Sequence, residues 1–498
     1  MGHAMARSAD AEHDRHVQAL AHAGHAAAVD TTHGMHAPAQ ADAADTTHAR
    51  HAPAQADAAD TSHAMHAPAN TDTVAHAGAH APTTDAHQPM RHEMTMISLG
   101  GGWMAIGMAQ VFPAVTTSLP ADDGTPLNRT GLYLTQPAVM LNLESPQSRV
   151  SFRTTLNLEG LTQPDGELTF GGWGEGYLDK RHPHTLLHEA LLSVNVWARD
   201  SGGFSLSAGK GFAPYGTDDP MSRPVLKYPT NHHLSQILER WTLNAVYSSP
   251  RWSVEAGVFG GNEPTGPWDM SNIESFANSA SARVARRFGT GAMGIWEWEL
   301  SGSYGYVVEE HDGAETTTQL YNAALRHEHD HTFGRVYYLT EASLSEPEHH
   351  DGYWSVLGEA SLMQGPHNPY GRVEYATRPE YPREGAPGTA DFFRYDHDDE
   401  PIGATRWLTL VAGYGVTATS LPYSVRPFAE VQWNHVSEEE GGIDPEALFG
   451  RSSFFTLSAG VRLFLGGEPM RMGSYGVLDS MTLMHRMQMG EAPAHAAH

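Results

Sequence analysis

The sequence predicts an all-β fold, a transmembrane antiparallel β-barrel of about 14 strands with roughly 12 to 16 allowed, preceded by a disordered histidine-rich segment. Three observations predict it. From about residue 97 to 467, polar and apolar side chains alternate with period two between clusters of Gly, Pro, Asp and Asn. The alternating runs are roughly nine to eleven residues long, which suits a tilted crossing of a bilayer. The 498 residues include 50 Gly, 11 Trp and 18 Tyr but only 18% charged residues, and mean hydropathy is still negative. A wall with lipid on one face and water on the other averages to that value.

Residues 1–96 come first and have a different texture. The unit His36-Ala-Pro-Ala-Gln-Ala-Asp-Ala-Ala-Asp-Thr-Thr-His48-Ala-Arg50 recurs as His51 to Met65, and a third copy starts at His66 and decays. No apolar face exists here, and Pro38, Pro53 and Pro68 interrupt any helix, so nothing offsets the entropy of ordering the segment. An exported chain should carry an apolar secretory run; Met1 to Asp30 shows none, which weighs against the barrel reading.

The uncharged run Met94 to Ala121 is long enough for a spanning helix, but Gly100, Gly101, Gly102, Gly107 and Pro113 oppose one. Trp103, Ala105, Gly107, Ala109 and Val111 alternate with Met104, Ile106, Met108 and Gln110, as in a first strand. Val150, Phe152, Thr154, Leu156 and Leu158 then face away from Ser151, Arg153, Thr155, Asn157 and Glu159. Trp296, Trp298, Leu300, Gly302, Tyr304, Tyr306 and Val308 oppose Glu297, Glu299, Ser301, Ser303 and Gly305. Leu408, Leu410, Ala412, Tyr414, Val416 and Ala418 oppose Thr409, Gly413, Gly415 and Thr417. Further strands are expected near 132–143, 166–178, 190–199, 203–211, 237–248, 251–260, 279–287, 317–329, 333–345, 353–363, 370–378, 423–435 and 454–465. Trp241, Tyr247, Trp252, Trp354, Trp407, Tyr423 and Trp433 fall at strand ends, where amphipathic rings form interfacial girdles. A soluble sandwich or propeller also alternates, but no blade-length repeat occurs and the apolar faces lack the dense Val, Ile and Leu of a sandwich core.

The last strand reads Ser458-Ala-Gly460-Val-Arg462-Leu463-Phe-Leu465. It resembles the C-terminal assembly signal of bacterial outer-membrane barrels, which implies outer-membrane lipid and the barrel-assembly machinery as partners. That signal usually ends a chain, whereas residues 468–498 form a Met- and His-containing tail here. With its histidine-rich extension the whole chain resembles the outer-membrane copper-resistance barrels, a likeness of architecture and not of matched residues.

Charge narrows the partners. A formal net charge of −28 excludes nucleic acid as the main ligand and favours cations. With no Cys, the available metal ligands are His, Met and carboxylates. Fifteen of the 32 His precede residue 97, many three apart: His13/His16, His22/His25, His33/His36, His48/His51 and His63/His66. Two imidazoles so spaced chelate one ion if the peptide turns, so copper, zinc or nickel is the expected guest; the alternative is a solvated spacer. Met90, Met94 and Met96 flank His92, and Met470, Met472, Met481, Met484, Met487 and Met489 surround His485, a thioether-imidazole set that would suit Cu(I).

Three further histidine groups lie in the barrel. His327, His329 and His331 share one strand face, with rings expected roughly 7 Å apart, so a partner such as His349 or His350 is needed to complete a site. His182, His184 and His188 would meet on a short helical turn. His232 and His233 follow Asp218-Asp219 and precede Glu239-Arg240. Arg153, Glu159, Glu297 and Glu299 are expected to face an acidic lumen. The expected function is a porin-like outer-membrane barrel, a homo-oligomer being allowed, that binds or passes metal cations. Its alternatives are a structural barrel with an inert tail and a barrel hydrolase, for which His233-Leu-Ser235 is the nearest suggestion; neither G-x-S-x-G nor H-E-x-x-H occurs.

Overall fold

The computed structural model describes residues 95–119, 130–162, 185–199, 202–217, 219–225, 230, 232–264, 266–270, 273, 275–289, 297–311, 313–348, 352–380, 402–420, 423–441 and 443–466. Of the segment 1–96 expected to be disordered, residues 1–94 lie outside them, as do the tail 468–498 and the candidate strand near 166–178; Thr95 and Met96 belong to a strand.

Eighteen strands form one antiparallel sheet. In chain order they are β1 (Thr95–Gly100), β2 (Trp103–Leu119), β3 (Thr130–Glu144), β4 (Val150–Asn157), β5 (Leu187–Arg199), β6 (Gly202–Gly211), β7 (Arg240–Ser248), β8 (Trp252–Phe259) and β9 (Ser279–Phe288). They continue as β10 (Trp298–His311), β11 (Ala314–His331), β12 (Gly334–Pro347), β13 (Tyr353–Met363), β14 (His367–Glu380), β15 (Gly403–Val416), β16 (Ala418–Ser420), β17 (Tyr423–Glu440) and β18 (Ser453–Leu465). Each pairs with its neighbour in sequence, and β18 pairs with β2, Phe455 opposite Leu119 and Leu465 opposite Ala109. This closes a barrel of 16 wall strands, the top of the expected range. Two strands are not separate staves. β1 lies along the edge of β2 beyond the end of β18, and β16 resumes the pairing of β15 with β17 after a break at Thr417.

The period-two reading holds along the wall. On β15, Leu410, Tyr414 and Val416 are exposed outward while Thr409 and Val411 are buried within. On β10, Leu300, Tyr304 and Tyr306 face out and Glu299, Ser301 and Val307 are buried. Closure gives every edge backbone group a partner without water, as lipid demands.

β3 departs from strict alternation. Tyr133 and Thr135 are buried before Gln136, and Ala138, Met140 and Asn142 after it, because a bulge at Gln136, with φ of 50°, shifts the register against β2. Glu159, expected on the inner face of a strand, instead starts the short helix Glu159–Thr162. Its Oε1 accepts from Thr135 Oγ1 at 3.0 Å and Gln136 N–H at 3.2 Å, satisfying the bulge.

Trp407 corrects the girdle assignment. It is 1% exposed and packs inward edge-on against Phe449 and Phe454 at 5.7 and 6.0 Å. Phe449 belongs to the helix Pro445–Phe449, capped by the Asp444 side chain on Glu446 N–H and closed by left-handed Gly450. Trp252 and Tyr247 do face outward.

Candidate functional site

The connection from β6 to β7 is rich in Pro and Gly at its start, Phe212-Ala-Pro-Tyr-Gly-Thr217, and has no alternation, so it cannot extend the wall. Its apolar residues still need burial. Phe212, Ala213, Tyr215, Met221, Val225, Leu234, Ile237 and Leu238 are each under 5% exposed because the connection folds into the barrel. Phe212, Met221 and Leu238 pack with Met108, Met140 and Val246 of the wall. Ala213, Tyr215 and Ile237 pack with Phe259, Val307 and Leu320, and Val225 with Tyr370 and Val411. One segment thus touches β2, β3, β7, β8, β10, β11, β14 and β15.

Polar contacts fix its path. Gly216 turns in the left-handed region with φ of 67°, and a Cβ there would run into Ser235 O. Gly216 N–H donates to Ser303 Oγ at 2.9 Å, and its carbonyl accepts from Arg283 Nε at 3.0 Å. Arg283 also holds Glu255 at 3.1 Å and Glu299 at 2.8 Å. Farther along, Arg223 donates to Thr217 Oγ1 at 2.6 Å and lies 3.4 Å from Glu341 and 3.8 Å from Glu359. Glu359 is held in turn by Arg372 at 2.7 Å and the Tyr337 hydroxyl at 2.7 Å. Thr230 N–H donates to Glu374 Oε2 at 2.9 Å, and Arg462 donates to Pro224 O at 2.9 Å. Burial pushes the Tyr215 hydroxyl well above its usual range, so it stays neutral and donates to Leu234 O at 3.0 Å.

The buried charges are close to balanced in number. Among the described residues eleven buried Asp and Glu stand against ten buried Arg and Lys. Glu299 and Arg153 keep inner positions, Arg153 lying 3.6 Å from Glu189. Glu297 does not: it sits outside the strand, at the rim, 3.6 Å from His329 Nε2.

The histidine groups resolve differently from expectation. His188 belongs to β5 and not to a helical turn; fully buried, its Nδ1 lies 2.5 Å from Glu239 Oε1, tying the end of the inward segment to the wall. His182 and His184 lie outside the described residues, as do His33, His36, His48, His51, His63 and His66. His232 and His233 fall in the short turn His232–Ser235, with side chains outside the described set. Ser235 contributes its carbonyl to Thr217 N–H at 3.2 Å.

The rings of His327, His329 and His331 come closer than expected. Centroids are 5.6 Å apart for His327 and His331 and 5.0 Å for His329 and His331, and the two outer Nε2 atoms approach to 3.3 Å. His349 and His350 lie outside the described residues. Among the described residues no group of three or more His, Asp or Glu has the arrangement of a metal site.

A closed antiparallel wall of even strand number, apolar and aromatic outside and polar inside, defines a bacterial outer-membrane β-barrel; here one connection also narrows the lumen. No family model and no curated protein matches the chain. Solved structures similar in outline include an outer-membrane OmpT of Vibrio cholerae, 10% identical with a TM-score of 0.42, covering 75% of this chain and 99% of that one. An anion-selective porin from Comamonas acidovorans is 10% identical with a TM-score of 0.41, covering 73% and 99%. OmpF of Salmonella typhi, in complex with daunomycin, is 10% identical with a TM-score of 0.42, covering 74% and 100%.

Proposed function

We propose that the chain is a porin-type channel for small polar solutes and ions, gauged by the segment between β6 and β7. The observation that carries this is the anchoring of that segment to the far wall through Arg223, with Glu341 and Glu359, and through Arg283. A barrel that only fills space needs no such charged cross-ties. The buried charges on this segment and the facing wall are paired, Arg223 with Glu341 and Glu359, and Arg283 with Glu255 and Glu299, so the pore sorts by size and by the placement of local charges. Conductance across a planar bilayer tests the reading: discrete open-channel steps are expected, and a silent, correctly folded barrel would sink it.

The finer reading, that metal cations are the cargo and that residues 1–96 concentrate copper, zinc or nickel, rests on the repeated three-residue histidine spacing and on the architectural likeness to copper-resistance barrels. Calorimetric titration of a peptide of residues 1–96 with Cu2+ and Zn2+ tests it. Binding no tighter than about 1 mM, roughly −4 kcal/mol, removes it. A homo-oligomer is proposed on the groove of about 730 Å³ that runs over the outer wall between small residues such as Ala412, Ala429 and Ala459; cross-linking in detergent reads the assembly directly.

A further inference from the structure

We infer that His327 and His331 form a binding site for a single divalent transition-metal ion on the outside of the wall. The inference stands apart from the channel reading, because the residues face away from the lumen. On β11, Asn322, Ala324 and Arg326 are buried inside, so His327, His329 and His331 continue the outer face of Tyr321 and Leu325 to the hairpin Thr332–Phe333. Short turns mark the periplasmic rim of such barrels, where a hydrated ion reaches the wall without crossing lipid.

The geometry fits one ion. Two imidazole nitrogens bound tetrahedrally at about 2.0–2.1 Å are separated by about 3.4 Å, and the two Nε2 atoms lie 3.3 Å apart. Their Cα atoms are four strand positions apart, so the rings lean toward each other to meet, and neighbours hold them in that posture. Trp298 lies against His327 at 4.5 Å, and Phe333 stacks on His331 at 5.1 Å with planes 3° apart. The pair is therefore oriented before any ion arrives, which lowers the entropy lost on binding. His329 and Glu297 stand beside it, 3.6 Å from each other. Two positions come from the protein and the rest are left to water, as in an open site. Imidazole ligands without thiolates suit Zn2+, Cu2+ and Ni2+ over Ca2+ or Mg2+. The competing account is a plain hydrogen bond between two neutral rings.

Copper bound here sits beside Trp298 and quenches its fluorescence. The full chain in detergent is titrated with Cu2+ at neutral pH, and Trp298 emission is read as the difference between the wild type and Trp298→Phe. Copper held elsewhere on the chain affects both proteins alike and cancels. Saturable quenching of that difference is expected, with Zn2+ reversing it and His331→Gln weakening it by about tenfold or more. His331 is only partly buried, at the strand end, whereas His327 is buried, so replacing His331 leaves the fold intact even if His327→Gln disturbs it. The idea is overturned if Trp298 stays bright at saturating copper, or if His331→Gln is quenched as readily as the wild type, the outcome the simple ring–ring hydrogen bond gives. Conductance measured on the same samples separates the two readings: quenching lost with channels intact removes only this site.

Discussion

At the residue scale the decisive contact is Arg223 between Glu341 and Glu359. The guanidinium is fully buried and Glu359 has no exposure, so each depends on the other and on Arg372 for compensation. Removing one member of such a group costs about 3–5 kcal/mol, since it leaves a buried charge behind. Glu359→Gln should therefore loosen the inward segment, raise single-channel conductance and shift the reversal potential toward anions, because Arg223 and Arg372 then lack part of their counter-charge. An unchanged reversal potential would place these groups away from the ion path. Gly216→Ala tests the turn itself. Strain at a left-handed residue costs about 1–3 kcal/mol, and the new methyl also meets Ser235 O. Noisy, fluctuating open channels are expected in bilayer recordings, with the barrel still heat-modifiable on a gel.

At the scale of elements, the segment between β6 and β7 and the helix Pro445–Phe449 both pack inside the barrel, but they do so differently. The first is tied by charge across the lumen. The second is held by Trp407, Val436, Phe449 and Phe454. Trp407→Ala should destabilise by about 3–5 kcal/mol, the cost of a large cavity in a closed core, and lower the temperature at which the folded band is lost. Trp433→Ala, on the outer face, should move it far less. Replacing residues 214–236 by a short flexible linker should widen the pore and multiply its conductance; a conductance equal to the wild type would show that the segment does not limit flow. These roles were only partly visible in the sequence. Strands such as β10 and β15 were legible from alternation alone, since lipid and water impose opposite demands on adjacent side chains. The bulge at Gln136 was not, because it exists only where β3 must match β2 on one side and receive Glu159 on the other.

For the whole molecule, closure is the central event. Gly460 of β18 faces the seam, where a Cβ would run into Pro113 O of β2 and meet the Phe428 ring of β17 at 2.9 Å, and Phe464 stacks edge-on against Phe112 of β2 at 5.3 Å. Arg462 lies over Phe112 at 5.5 Å and so ties the same seam. Gly460→Leu should leave the barrel open and aggregation-prone, seen as loss of the heat-modifiable form; normal assembly would move the weight of closure to the backbone ladder alone. Most of the wall strands, the two faces of the wall and the membrane class could be inferred from local patterning, because period two needs only neighbours along one chain. The inward packing of Phe212, Met221 and Ile237, the burial of Trp407, the pairing of buried Arg with Glu and the meeting of His327 with His331 could not. Each depends on which side chains a closed wall brings opposite one another across a hundred residues or which rings lean together at a strand end, and no spacing along the chain carries that information.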